Sequence, residues 1–239
     1  SAPPIRPVVV GAGVRKRTTG GETVLYRHEK TFFNPTILAA TVPSDTDPAE
    51  LDKKLKVYNA FQYERVGLNL RPELVAVKDA NGDAGAFAAV AKQIAETSEF
   101  NVILMTEDAD VMKAGAEACA FKRPLLYGAT EANADAMGAI AKDNDLHLGI
   151  KADSIDALTA LSEKLTGMGI KDMVLELGSR EPKQANEDMI SIRRAALKDG
   201  NRAVGFPTIA FPCEMASNLD METLIAGMFI AKYGSIVIL

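Results

Sequence analysis

From Thr36 onward, hydrophobic and polar positions along the chain form two kinds of segment that alternate. Short apolar runs, typical of strands buried on both faces, are each followed by a longer segment with apolar residues at helical spacing. In the first such segment Leu51, Leu55 and Tyr58 share one helical face, and Asp47 or Thr46 precedes it as a predicted N-cap. The apolar runs are TILAATV, LVAVKDA, NVILMTE, PLLYGAT, LHLGIKA, DMVLELGS, VGFPTIAF and SIVIL.

Eight strand-like runs and seven intervening helical segments predict an α/β fold, a (β/α)8 TIM barrel. The alternative is an open Rossmann-like sheet, for which VVVGAGV at positions 8–14 is the nearest phosphate-binding motif. That stretch lacks the third glycine at the required spacing and leads into the turn-like RKRTTGGE, so the pattern favours the barrel.

The N-terminal 35 residues differ from this repeat, and we interpret residues 1–35 as a linker followed by a β-hairpin lid and residues 36–239 as the barrel domain. The expected hairpin pairs PVVVGAG with ETVLYRHEK, turns near TTGG and covers the N-terminal end of the barrel. Within it, Arg27, His28 and Glu29 are expected to form a buried or interfacial polar network. Because the chain stops inside the eighth strand-like run, we expect it to be the middle piece of a longer polypeptide.

Composition narrows the class of function. Of 239 residues, 47% are hydrophobic and 25% charged, which is ordinary for a globular protein. The net charge of -5 argues against nucleic acid or an anionic membrane surface as a partner, and the N-terminus does not have the pattern of a signal peptide. Two cysteines and two histidines are too few for a disulfide framework or an obvious metal site, and they favour a reducing compartment.

Candidate reactive groups follow the strand-like runs, where barrel enzymes place their active sites. Lys151 is a candidate Schiff-base lysine, although a barrel-mouth lysine is more often solvated or paired with a carboxylate. Arg180 is a candidate anion ligand or a surface arginine paired with Glu181 or Glu187. Cys213 is not supported as a nucleophile, because no histidine lies near it in the sequence. The other positions at strand ends are Thr41, Lys78, Asp79, Thr106 to Asp108, Thr130, Glu131, Ser179, Glu181 and Glu214.

Acidic residues at these ends have a simpler explanation, because Asp108, Glu131 and Asp153 lie where helices begin and are expected to be caps and partners of the helix dipole. No group of these residues is specific enough to indicate a particular reaction. We therefore assign no residue of this chain as catalytic, cofactor-binding or metal-binding.

One segment carries a family resemblance. GGETVLYRHEKTFFNPT, together with YERVGLNL, NVILMTEDADVMKAG, LELGSRE and IAKYGSIVIL, resembles the large (gamma) subunit of the corrinoid/iron–sulfur protein, the acetyl-CoA decarbonylase/synthase gamma subunit. The resemblance extends over essentially the whole chain and corresponds to the central barrel portion of that subunit.

The resemblance implies a cytoplasmic methyl carrier of the acetyl-CoA pathway whose cobamide and [4Fe–4S] cluster lie in flanking domains. A methyl group passes from a methyl-tetrahydropterin, through a methyltransferase, to cobalt and then to acetyl-CoA synthase. The implied partners are the small subunit, the methyltetrahydropterin methyltransferase and acetyl-CoA synthase/CO dehydrogenase, with no nucleic acid and no membrane. The four-cysteine cluster motif is absent from this sequence, so no cluster or corrinoid ligand is carried over.

Three hypotheses follow. In the first, the barrel is a scaffold without chemistry of its own. In the second, it is a pterin-dependent methyltransferase barrel that binds the methyl donor through Asp79, Asp108 and Asn133. A third and weaker hypothesis is an aldolase-like enzyme that forms a Schiff base at Lys151.

Overall fold

Eight parallel strands form the central sheet in the computed structural model, which describes residues 3–25 and 34–239. These strands are β3 (Ile37–Pro43), β6 (Leu74–Lys78), β7 (Asn101–Met105), β8 (Leu125–Ala129), β9 (His147–Lys151), β10 (Met173–Glu176), β11 (Ile209–Ala210) and β12 (Ile236–Ile238). The sheet order is β10-β9-β8-β7-β6-β3-β12-β11. A backbone hydrogen bond from the amide of Leu175 to the carbonyl of Pro207, 2.8 Å long, links its two edges. The predicted TIM barrel is therefore confirmed.

The predicted helical segments are all helices, and one short helix, α7, was not predicted. The helices are α1 (Pro48–Ala60), α2 (Ala84–Thr97), α3 (Ala109–Cys119), α4 (Ala134–Asp143), α5 (Ile155–Gly167), α6 (Pro182–Leu197), α7 (Pro212–Met215) and α8 (Leu219–Ala231). Asp47 caps α1 by accepting hydrogen bonds from the amides of Ala49 and Glu50, and Pro48 occupies the first turn. Within the described ranges, no helix combines the length and the apolar character needed to cross a bilayer.

The N-terminal hairpin exists, but its second strand is a different segment from the predicted ETVLYRHEK. Strand β1 (Val8–Val10) pairs with β2 (Arg17–Thr19), so the expected turn at TTGG lies partly in the second strand. The chain reverses earlier because Gly11 and Gly13 adopt positive φ angles of 81° and 67° and a short 3-10 turn follows. Residues 22–25 are in no strand, and the remainder of ETVLYRHEK, with Arg27, His28 and Glu29, lies outside the described residues.

This hairpin lies across the N-terminal ends of the barrel strands. The amide of Ala12 donates to Oδ1 of Asn101, the first residue of β7, at 2.9 Å. Arg15 is 1% exposed, and its guanidinium donates to the carbonyl of Pro72 at 2.7 Å and to Oδ1 of Asn59 at 2.6 Å. Both contacts flank a second small hairpin, formed by β4 (Tyr63–Arg65) and β5 (Leu68–Leu70), which was not predicted.

Candidate functional site

The C-terminal ends of the barrel strands surround a cavity of about 290 Å³. Half of the predicted strand-end residues meet here, because parallel strands of a barrel end on one face. The other half do not line the cavity: Thr41, Asp108, Thr130, Glu131, Ser179, Glu181 and Cys213. Its walls are formed by Lys78, Asp79, Met105, Thr106, Glu107, Tyr127, Gly128, Lys151, Arg180 and Glu214.

Glu176 lies at the centre of the charged groups beneath this cavity. It is 7% exposed, and it accepts hydrogen bonds from the Tyr127 hydroxyl and from Nη1 of Arg180. Burial raises the pKa of the Glu176 carboxyl, and the attraction of Arg180 opposes this rise. Burial and the adjacent carboxylate also raise the pKa of Tyr127, which therefore stays a neutral donor.

Arg180 bridges two carboxylates. Its Nε atom donates to Oε2 of Glu214 at 2.5 Å, while Nη1 contacts Glu176, and its guanidinium stacks over the Phe211 ring at 4.4 Å. Burial lowers the pKa of Arg180, but Glu176 and Glu214 outweigh this effect and the pKa is raised overall. The partners expected from sequence, Glu181 and Glu187, are wrong. The strand-end position of Glu176 and the α7 position of Glu214 bring these two carboxylates closer.

The two lysines at the cavity are paired with carboxylates. Nζ of Lys78 lies 2.6 Å from Oε1 of Glu214, and Nζ of Lys151 lies 2.6 Å from Oε1 of Glu107. Burial alone would raise the pKa of Glu214, but hydrogen bonds from Lys78 and Arg180 lower it overall. Nζ of Lys151 is occupied by its ion pair with Glu107, so this geometry gives the aldolase hypothesis for Lys151 no support.

The three residues considered for pterin binding are engaged with the protein itself. Asp79 accepts from the amide of Gly82 at 2.8 Å and from the Thr106 hydroxyl at 2.9 Å. Asp108 is the N-cap of α3, as predicted. The Asn133 side chain accepts from the amide of Thr130 and donates to the backbone carbonyls of Glu107, in the loop after β7, and of Gly128, in β8. Their polar atoms thus stabilise turns and helix starts.

Two predicted caps are wrong. Ser154, one residue after Asp153, caps α5 by accepting from the amide of Ala157. Asn133, two residues after Glu131, occupies the N-cap position of α4. In both loops the helix begins later than the first acidic residue, so an acidic residue near a helix start is a weaker signal than the residue directly before it.

Sequence reasoning missed Tyr127 and Glu176. Both lie within apolar runs, PLLYGAT and DMVLELGS, which predict buried strands. The available signal was the carboxylate of Glu176 inside an otherwise apolar run. A charge at such a position is expected to be buried and therefore to need a partner. That partner, Arg180, is four residues further along the chain.

Comparison with known proteins identifies the family. The family described as CO dehydrogenase/acetyl-CoA synthase delta subunit matches residues 7–239. The chain belongs to this family.

Relatives within the CO dehydrogenase/acetyl-CoA synthase family carry names that agree with the resemblance. The chain is 37% identical over 239 residues to the corrinoid/iron-sulfur protein large subunit of Moorella thermoacetica, covering 100% of this chain and 53% of that protein. It is 34% identical over 251 residues to acetyl-CoA decarbonylase/synthase complex subunit gamma 1 of Methanosarcina mazei, with the same shares covered. The chain thus spans about half the length of the curated relatives it matches.

A solved structure supports the fold. Dihydropteroate synthase from Thermus thermophilus is similar with a TM-score of 0.61 at 11% identity, covering 98% of this chain and 93% of that one. At this identity the likeness concerns the fold alone.

The name of the Moorella thermoacetica relative refers to a corrinoid and an iron–sulfur cluster, and the residues of this chain do not fit either group. A [4Fe–4S] cluster takes four cysteine thiolates, whereas the whole sequence contains two cysteines. Burial raises the pKa of Cys119 to about 12 and also raises that of Cys213, so both favour the thiol form. Within residues 3–25 and 34–239, no three His, Cys, Asp or Glu side chains converge as metal ligands. The mouth cavity, about 290 Å³, is at the lower limit for a small ligand, and a cobamide is far larger.

Proposed function

We propose that this barrel is the scaffold of a corrinoid/iron–sulfur methyl carrier in the acetyl-CoA pathway. The carrier accepts a methyl group from a methyl-tetrahydropterin through a methyltransferase, holds it on the cobalt of a cobamide and delivers it to acetyl-CoA synthase. The barrel itself holds partner surfaces in place and performs no chemical step. The carrier operates in the cytoplasm as a heterodimer with a small subunit, and its cobamide and [4Fe–4S] cluster are bound outside this chain.

The observation that carries the proposal is the 37% identity over 239 residues with the corrinoid/iron-sulfur protein large subunit. The cavity at the C-terminal ends of the barrel strands adds physical support to the scaffold proposal. Lys78, Lys151 and Arg180 each contact a carboxylate, so the positive charges at the C-terminal end of the barrel strands are compensated within the protein. A site that performs acid–base chemistry instead leaves a group poised to exchange a proton with a substrate.

The alternative is a methyltransferase barrel that binds the pterin directly. Titration of the chain with methyl-tetrahydrofolate by calorimetry separates the two. The scaffold proposal predicts no binding tighter than about millimolar, which corresponds to roughly 4 kcal/mol. A micromolar dissociation constant that Asp79→Asn weakens would establish the alternative instead.

A second test uses methyl transfer in a reconstituted carrier whose large subunit contains this barrel. Under the scaffold proposal, Lys151→Met changes the methyl-transfer rate less than twofold, because the lysine serves a mouth ion pair with Glu107. If the mouth were catalytic, loss of a proton-transfer group would lower the rate by about 10²-fold or more. The exposed Lys113→Met on α3 serves as the matched control for removal of a lysine.

A further inference from the structure

His147 is a buried histidine at the N-terminal end of the barrel. It is the first residue of β9 and is 4% exposed. Leu125 of β8 pairs with His147, and Ile103 of β7 pairs with Leu125, so these three side chains point to the same side of the sheet. Asn101, two residues before Ile103, points to that side as well. The base of the barrel therefore holds two buried polar side chains on one face, Asn101 and His147.

The N-terminal hairpin lies on these two side chains. Asn101 accepts a hydrogen bond from the amide of Ala12 at 2.9 Å, and a Cβ at Gly11 would lie 2.2 Å from its Cγ atom. The ring of His147 is hydrogen-bonded to the backbone of Val9. Polar groups from β7 and β9 thus hold the hairpin backbone between residues 9 and 12.

The hairpin is separate from the barrel sheet. Its strands β1 and β2 form a two-stranded sheet of their own, so lifting the hairpin breaks no hydrogen bond within the eight-stranded sheet. A two-stranded ribbon is only marginally stable alone, so its position depends on the contacts beneath it. Val8 and Val10, both fully buried, supply the apolar part of these contacts. We expect such a segment to open locally at a lower free energy than the barrel strands.

Protonation of His147 is unfavourable while the hairpin is closed. Both nitrogens of an imidazolium are donors, and within the part of the chain that the structure describes Nε2 of His147 has no hydrogen-bond partner. The charged ring would therefore carry an unsatisfied donor in a buried site, whereas water solvates the ring once the hairpin opens. Burial accordingly has the largest effect on this side chain and lowers the pKa of His147.

The charged groups around the ring do not reverse this effect. Nδ1 of His147 lies 3.5 Å from Oδ2 of Asp172, in the loop before β10, but this carboxylate is 38% exposed and also attracts Arg6. Solvent weakens the attraction of so exposed a partner. Arg123 and Asp145, in the loops before β8 and β9, form an ion pair of 2.7 Å with each other, so their effects on the ring largely cancel.

We propose that His147 is a pH-sensitive latch for the N-terminal hairpin. The neutral ring holds the hairpin on the barrel, and the protonated ring releases it. The open form binds a proton more readily than the closed form, so acidification through the ordinary histidine pKa of about 6.5 shifts the equilibrium toward the open form. This device is independent of the scaffold function.

Hydrogen exchange of the 239-residue chain at about pH 7 and about pH 5, the range in which histidine titrates, measures the opening of the hairpin. After correction for intrinsic exchange rates, acidification should raise the opening equilibrium constant of the β1 and β2 amides about tenfold. The ordinary pKa of 6.5 in the open form limits this rise to about 25-fold. Amides of β7 should change less than twofold. His147→Asn should abolish the pH dependence, whereas the control His28→Asn, the same change at the other histidine, should retain it.

An NMR titration of the histidine rings in the wild-type protein is a readout that requires no variant to fold. His147 should titrate with a midpoint below pH 6.5, and Asp172→Asn should lower that midpoint further, because the carboxylate opposes the effect of burial. A midpoint at or above 6.5, or hairpin protection that does not change with pH, would overturn the latch. Equal acceleration of the β7 amides would overturn it too, as would pH dependence that persists in His147→Asn or disappears in His28→Asn.

Discussion

Replacement of Arg15 by alanine should destabilise the barrel from its N-terminal end. The side chain is 1% exposed, and its guanidinium stacks over the Phe100 ring at 4.3 Å. Its two side-chain hydrogen bonds, at 2.7 and 2.6 Å, reach Pro72 and Asn59, which flank the β4–β5 hairpin. One side chain of the N-terminal hairpin thus fixes both ends of a second hairpin.

The magnitude follows from these contacts. Hydrogen bonds to a charged group contribute about 1.5–3 kcal/mol each, and a desolvated cation–π contact contributes about 2 kcal/mol. Desolvation of the buried guanidinium, which also lowers its pKa, offsets several kcal/mol of that gain. Glu73 keeps Arg17 at 2.6 Å, and Glu99, whose carboxylate lies 3.8 Å from Nε of Arg15, is 63% exposed and therefore stays hydrated when Arg15 is removed. The expected net loss is about 3 kcal/mol, which lowers the melting temperature by roughly 6–12 °C in a domain of this size.

Differential scanning calorimetry and urea unfolding measure this effect, with Lys16→Ala as the control because Lys16 is the exposed neighbour. Hydrogen exchange of residues 61–70 provides a second readout and should accelerate in Arg15→Ala alone. A melting temperature within 2 °C of wild type, on the scale of about 0.5 kcal/mol expected for surface changes, would refute the reasoning.

Two further predictions concern the mouth. Gly128 has a φ angle of 128°, and a Cβ there would lie 2.1 Å from a backbone oxygen, so Gly128→Ala should lower the free energy of unfolding by about 3 kcal/mol or more in calorimetry. The control Gly167→Ala, where the added Cβ meets open space, should be neutral or stabilising. Equal effects of the two substitutions would contradict this reasoning. Hydrogen bonds from Lys78 and Arg180 outweigh burial and hold the folded pKa of Glu214 below its ordinary value of 4.5. The carboxylate therefore stabilises the fold above that pH, and the stability difference between wild type and Glu214→Gln in urea should shrink as pH falls through and below 4.5; a difference that grows on acidification would show the sign to be wrong.

The barrel could be predicted because each of its strands and helices has a recognisable local pattern of apolar and polar residues. Strands covered on both faces must be apolar at nearly every position, as in β7, where all five residues from Asn101 to Met105 are buried. Helix starts could be predicted where the cap directly precedes the helix, as at Asp47 and Asp108. The regular alternation of the two kinds of segment then leaves few architectures.

The features that sequence did not predict depend on contacts between distant segments. The β4–β5 hairpin has no buried face, so its residues produce no periodic pattern of burial. The register of β1 with β2 depends on Gly11, which packs against Asn101, ninety positions further along the chain. At the C-terminal end of the barrel, Arg180 pairs with Glu214, which lies in another strand–helix connection. The two residues are close only because the barrel is closed.

Closure of the barrel by β12 has a consequence for how the chain is made. This strand lies between β3 and β11, and β3 begins at Ile37 whereas β12 begins at Ile236. About 200 residues separate the two, so at about 5–20 residues per second the ribosome needs roughly 10–40 s to deliver the closing strand after the opening one. During that interval one edge of β3 is unpaired, and β11, which begins at Ile209, adds a second unpaired edge only near the end of the interval. Unpaired edges of this kind are surfaces through which nascent chains associate. The arrival of three residues, Ile236 to Ile238, ends that exposure on both edges at once.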